Sequence, residues 1–135
     1  MNDRTNALEK SGTPRGRGML DKAKYNKGTA FTPEEREKYG LRGLLPVTVT
    51  PQSVQIVRCF ENLHRKSNNI EKYIFLMALL GRNERLFYKM LIEYIEELAP
   101  IVYTPTVGQA CQEFAHIFRQ TRGFYITPAD RGRIE

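Results

Sequence analysis

The sequence predicts a mainly α fold, a packing of four or five helices. Three observations predict it. Thr32-Pro33-Glu34-Glu35 and Thr50-Pro51 each join a capping residue to a proline at the first helical position. Leu86, Phe87, Met90, Leu91, Tyr94, Ile95 and Leu98 recur at the spacing of a single helical stripe. Ile70 to Leu80 is apolar nearly all round, the pattern of a central helix covered on several sides.

The leading residues are polar and interrupted by Gly12, Pro14, Gly16 and Gly18, which predicts a flexible basic arm over 1–24. Residues 1–42 hold 10 Lys and Arg against 6 Asp and Glu, so most of the net charge of +6 belongs to this end. Arg15-Gly16-Arg17-Gly18 is one copy of an arginine–glycine pattern and reads as solvated linker. The helix opened by Thr32 should stop near Gly40, and Leu41, Leu44 and Leu45 then press a turn onto the body before Pro46.

Behind Thr50-Pro51 a helix presents Ile56, Val57, Phe60 and Leu63 on one side. Ser67-Asn68-Asn69 ends it and caps the central helix, which Gly81 closes. Asn83 opens the next helix. Glu84, Arg85, Lys89, Glu93 and Glu97 form its solvated face, and Pro100 ends it. Ile101-Val102-Tyr103 predicts a short extended run. Either Thr104-Pro105 or Thr106 with Gln109 starts another helix, with Val107, Ala110, Cys111, Phe114 and Phe118 as its stripe. Gly123 breaks that helix, Phe124-Tyr125-Ile126 predicts a short strand, and Thr127 with Asp130 marks one more helix start.

Tyr103 is the strongest candidate for chemistry. A free phenol has a pKa of about 10. A phenol set before the positive end of a helix can serve as a general acid. A half-buried tyrosine finishing a helix end fits the same position, and local features leave both roles open. Arg58 and Arg82 stand at or near the ends of apolar helices. If they converge, paired guanidiniums can bind a dicarboxylate; inter-helix ion pairs are their other use.

Other chemistries lack their residues. Neither Asn26-Lys27-Gly28-Thr29 nor Thr104 to Gly108 has the pattern of a phosphate loop, and there is no Gly-x-Gly-x-x-Gly. His64 and His116 stand apart from any Cys or acid cluster, so no metal site is expected in this chain. Cys59 and Cys111 predict two buried, reduced thiols. No apolar stretch nears the roughly 20 residues that span a bilayer, and no base-stacking cluster or recognition helix points to nucleic acid. The leading segment lacks an apolar core and carries Asp3, Glu9 and Asp21, so a cytoplasmic location is expected, with the mitochondrial matrix as alternative.

Several motifs resemble a known family. They are Asn26-Lys27-Gly28-Thr29-Ala30-Phe31-Thr32, Gly40-Leu41-x-Gly43-Leu44-Leu45-Pro46, Glu71-Lys72-Tyr73-Ile74-Phe75, Arg82-Asn83-Glu84-x-Leu86-Phe87-Tyr88, Pro100-Ile101-Val102-Tyr103-Thr104-Pro105-Thr106-Val107-Gly108 and Asp130-Arg131-Gly132. From about Tyr25 onward they resemble, in register, the N-terminal domain of malic enzymes. The resemblance implies that 25–135 is the helical N-terminal domain of such an enzyme, incomplete at its C-terminal end.

It further implies oxidative decarboxylation of malate to pyruvate and CO2, with NAD or NADP and Mg or Mn as cofactors of the complete enzyme. Tyr103 takes the position of the family's general acid. Arg58 and Arg82 take positions that in some members hold an activating dicarboxylate such as fumarate, while Thr50 stands where those members carry an acid. The family's general-base lysine, substrate arginine, metal-binding acids and nucleotide-binding domain fall beyond these motifs. The isolated chain is therefore expected to bind no cofactor or metal and to be inactive alone, with malate, a second copy or the C-terminal portion as its partners. The alternative function is a non-catalytic helical association module.

Overall fold

A computed structural model describes residues 12–133. The short helix α1 (Arg17–Leu20) leads through a 3-10 turn (Gly28–Ala30) to α2 (Pro33–Tyr39). Then follow α3 (Gln52–His64), α4 (Asn69–Arg82), α5 (Glu84–Glu93), α6 (Ile95–Val102), α7 (Thr106–Gln112), α8 (Phe114–Ile117) and a 3-10 turn (Pro128–Asp130). Helices α3 to α7 pack around α4, which meets α3, α5, α6 and α7. Leu76 and Leu79 of α4, Leu63 of α3, Met90 of α5 and Leu98 of α6 are buried at the centre of this core.

A second, smaller core joins Met19, Phe31 and Leu41. It changes the extent of the expected flexible arm. Residues 1–11 lie outside the described residues, but by Met19 the chain is packed onto the body. The Gly16 N–H donates to the Tyr39 carbonyl at 2.7 Å, and Gly16 holds a φ of 55°, open to glycine at little cost. Further on, the Ala23 carbonyl accepts from the Glu84 N–H at 3.1 Å, and Asn26 Nδ2 donates to the Arg82 carbonyl at 3.0 Å.

The capping signals account for most helix starts. Thr32 and Glu35 form the reciprocal capping box of α2, and the helix stops at Gly40, which takes the left-handed conformation. Asn68 Oδ1 accepts from the Glu71 N–H to open α4. Thr50 makes no such cap. It is buried, its N–H donates to the Thr29 carbonyl, and α3 begins behind Pro51.

Other expectations change. Gly81 lies inside α4, and Asn83 is both the end of α4 and the cap of α5, accepting from the Leu86 N–H at 3.1 Å. The stripe from Leu86 to Leu98 is divided by a break at Tyr94 into two helices. Pro100 lies within α6 and does not end it, so Ile101 and Val102 are helical. The last predicted helix breaks at Glu113, and among the described residues Phe124-Tyr125-Ile126 forms no strand.

Buried Arg36 organises the turn after α2. Its guanidinium donates to the carbonyls of Phe31 at 2.9 Å, Pro46 at 2.7 Å, and Val47 and Thr29 at 3.2 Å. Carbonyl oxygens thus satisfy a charge that would otherwise be costly to bury.

Candidate functional site

Tyr103 is the residue that follows α6, in extended backbone with φ −129° and ψ −149°. Its N–H donates to the Ala99 carbonyl at 2.9 Å, and its own carbonyl accepts from the Val107 N–H at 2.8 Å. Thr104-Pro105, with a cis peptide bond, then turns the chain into α7. The backbone is held on both sides while the side chain is left out: Tyr103 is 71% exposed. The half-buried tyrosine that local features also allowed is therefore not what the structure holds. Tyr103 lines neither of the two cavities described next.

The structure brings Arg58 and Arg82 to one cavity of about 290 Å³, between the Gly28 turn, α3 and the end of α4. Asn26, Thr29, Gln55 and Cys59 complete much of its lining. Thr50 is not on that wall. Gln55, one turn before Arg58, is a lining residue that sequence reasoning missed. Its Nε2 donates to the Lys27 carbonyl and to Thr29 Oγ1, both at 3.2 Å, which leaves Oε1 buried without a hydrogen-bond partner. Only its helical spacing from Arg58 could have drawn attention to it. Burial pushes the Cys59 thiol up, against the opposing pull of Arg82. Cys59 is buried as expected, but Cys111, within α7, is exposed.

A larger groove of about 690 Å³ runs between α4, α7, α8 and residues 118–125, with Tyr73, Met77, Phe114, Phe118 and Tyr125 on its walls. Arg122 fixes its rim, donating to the Leu80 carbonyl at 2.8 Å and to Glu84 Oε1 at 3.3 Å. Gly81 leaves room for the Gln120 amide, which a Cβ there would meet at 2.7 Å. His64 pairs with Glu97 at 2.6 Å. Among the described residues no group of three or more His, Cys, Asp or Glu stands together to hold a metal ion, so these residues do not fit Mg or Mn. No helix among them is long and apolar enough to cross a membrane.

Comparison with known proteins shows what the chain is similar to. Residues 80–135, which include Tyr103 and Arg82, match the malic enzyme N-terminal domain. The chain is also 50% identical over 119 residues to the hydrogenosomal malic enzyme of Neocallimastix frontalis. The chain is similar over most of its length to the N-terminal part of malic enzymes. It is likewise 50% identical over 119 residues to NADP-dependent malic enzyme 1 of Arabidopsis thaliana and 47% identical to the chloroplastic NADP-dependent malic enzyme of rice, Oryza sativa subsp. japonica. Each match covers 88% of this chain, and the chain spans about a fifth of these malic enzymes' own length: 20%, 20% and 19%.

Proposed function

We propose that this chain is the N-terminal part of a malic enzyme that converts malate to pyruvate and CO2 with reduction of NADP or NAD, and that Tyr103 is its general acid. The observation that carries the role is the exposed Tyr103 phenol on a backbone clamped at Ala99 and Val107. Loss of CO2 from the oxidised substrate leaves an enolate. The Tyr103 hydroxyl hands its proton to C3 of that enolate, giving pyruvate, and the phenolate then recovers a proton from solvent. A donor whose backbone is already fixed needs little reordering before it acts. NADP is supported by the names of the plant relatives.

The test is reconstitution. The chain is mixed with a separately produced remainder of the Arabidopsis relative, and malate-dependent reduction of NADP is followed. Activity is expected only in the mixture, and Tyr103→Phe should lower it by about 10²–10⁴-fold, the usual contribution of a positioned proton donor. Turnover by the 135-residue chain alone, or undiminished activity of the Phe variant, overturns the reading.

The shared Arg58–Arg82 cavity favours a second role, binding of a dicarboxylate activator. Fumarate should stimulate the mixture, and Arg82→Gln should abolish the stimulation while basal turnover remains. The exposed aromatic groove supports a different reading, a helical association module. Sedimentation of the isolated chain as a monomer at high concentration counts against self-association.

A further inference from the structure

The Tyr103 phenol takes its place from its backbone alone. The side chain is exposed, and among the described residues its hydroxyl makes no hydrogen bond and its ring no ring contact. Whatever fixes residues 99–107 therefore fixes the phenol. Two of the bonds that do so are main-chain bonds open to almost any sequence. The Tyr103 N–H donates to the Ala99 carbonyl, and the Val107 N–H donates to the Tyr103 carbonyl. The third depends on one side chain. Thr106 Oγ1 donates to the Pro100 carbonyl at 2.7 Å, and Thr106 is only 3% exposed. Thr104, whose N–H would continue the helical ladder to that carbonyl, makes no such bond. Among the described residues no other side chain from 99 to 107 makes a hydrogen bond.

The Thr106 hydroxyl thus closes a loop that runs from Pro100 to Thr106, with Tyr103 at its middle. It holds the start of α7 against the last turn of α6. In doing so it sets where the Val107 N–H stands when it meets the Tyr103 carbonyl.

We propose that Thr106 is a positioning residue for Tyr103, its hydroxyl holding the phenol where the proton passes to C3 of the enolate. The inference rests on the general-acid reading of Tyr103. Without that hydroxyl the start of α7 can pivot on α6 and carry the Tyr103 carbonyl with it. A displacement of about 1 Å at a reacting group costs on the order of 10²-fold in rate. A buried threonine that only held the fold together would lower every step alike. A positioning residue slows the one step that Tyr103 performs.

The mixture of the full chain with the remainder of the Arabidopsis relative supplies the test. Deuterium uptake from D2O into the methyl group of pyruvate reads the Tyr103 step backwards. The phenolate removes a C3 proton, the hydroxyl exchanges it for deuterium, and deuterium returns to C3. Reduction of NADP in the first turnover reads hydride transfer, which precedes that step. Thr106→Val keeps the side chain's shape and removes the donor. It should slow deuterium uptake by about 10- to 100-fold and leave first-turnover reduction within about twofold. Thr106→Ser should restore uptake. Added to Tyr103→Phe, Thr106→Val should slow uptake no further, because the two residues act as a unit. If Thr106→Val does not fold, Thr106→Cys, a weak donor of similar size, takes its place.

Equal loss of both readouts, undiminished uptake, or a further loss in the double variant overturns the positioning role. Slowed uptake in Tyr103→Phe with native uptake in Thr106→Val removes Thr106 and leaves the general acid. Native uptake in Tyr103→Phe, or a native mixture that takes up no deuterium, overturns both.

Discussion

The Thr106 hydroxyl donates to the Pro100 carbonyl at 2.7 Å, tying the first residue of α7 to the last turn of α6 across the Tyr103 loop. That carbonyl has no partner in the helical ladder once α6 stops, and the buried threonine supplies one. Thr106→Val should leave a shielded carbonyl unsatisfied and destabilise the fold by about 1–3 kcal/mol. Thr106→Ser should recover much of the loss. Urea unfolding followed by circular dichroism measures both.

Asn83 serves two helices at once, as the end of α4 and the cap of α5. Asn83→Ala should cost about 1 kcal/mol, the usual loss of a helix cap, and up to about 2 because the site is buried. Asn83→Asp keeps an acceptor and should lose less. The same unfolding measurement decides between them.

Arg36→Met should be among the most damaging single changes in the smaller core. It removes the donor to the Phe31, Pro46, Val47 and Thr29 carbonyls together. Charge-assisted bonds contribute about 1.5–3 kcal/mol each but not additively, so a loss of about 3 kcal/mol or more is expected. Faster hydrogen exchange at Leu41, whose N–H bonds the Arg36 carbonyl, would locate the effect.

Gly108 is a glycine that the described chain does not need. It lies inside α7, and a Cβ there would meet nothing within 4 Å. Gly108→Ala should raise stability by about 0.5–1 kcal/mol, because glycine is a poor helix residue. A drop in stability would show a contact that the structure does not contain.

Acid should weaken the start of α2 through Glu35. Burial pushes this carboxyl up, but hydrogen bonds from Lys27 Nζ and the Thr32 N–H, with the charges of Lys27 and Arg85, outweigh it and hold it below its ordinary value. A carboxyl lowered on folding binds fewer protons in the folded state than in the unfolded one. Its stabilisation is complete above the unfolded value of about 4 and is lost as pH falls through the folded value. Glu35→Gln should therefore destabilise at neutral pH, and the gap to the native sequence should close below about pH 4. A gap independent of pH rejects the carboxylate's role.

Caps were the most legible part of the fold. Thr32, Asn68 and Asn83 act locally, on amides three residues away, so their sequence neighbourhood suffices. Pro100 misled because its local penalty is offset by contacts made elsewhere: Leu98 and Ile101 bury on either side of it and Thr106 takes its carbonyl. The break at Tyr94 was hidden for a similar reason. One apolar stripe runs through it, while the Tyr94 ring turns to meet Phe60 on α3, with centroids 4.3 Å apart. Phe124-Tyr125-Ile126 has strand residues, but a strand needs a neighbour.

Tyr103 was legible as a residue set before a helix, though its exposure was not. The meeting of Arg58 and Arg82 depends on the packing of α3 against α4, and Gln55 had no sequence signal of its own.

The leading segment crosses the corner between α4 and α5 and is fastened there from Ala23 and Asn26. Cutting the protein back to residue 27 would not trim a loose tail; it would unbuckle a belt around the bend that carries Arg82. Shortened versions made for crystallisation or fusion should therefore keep these residues.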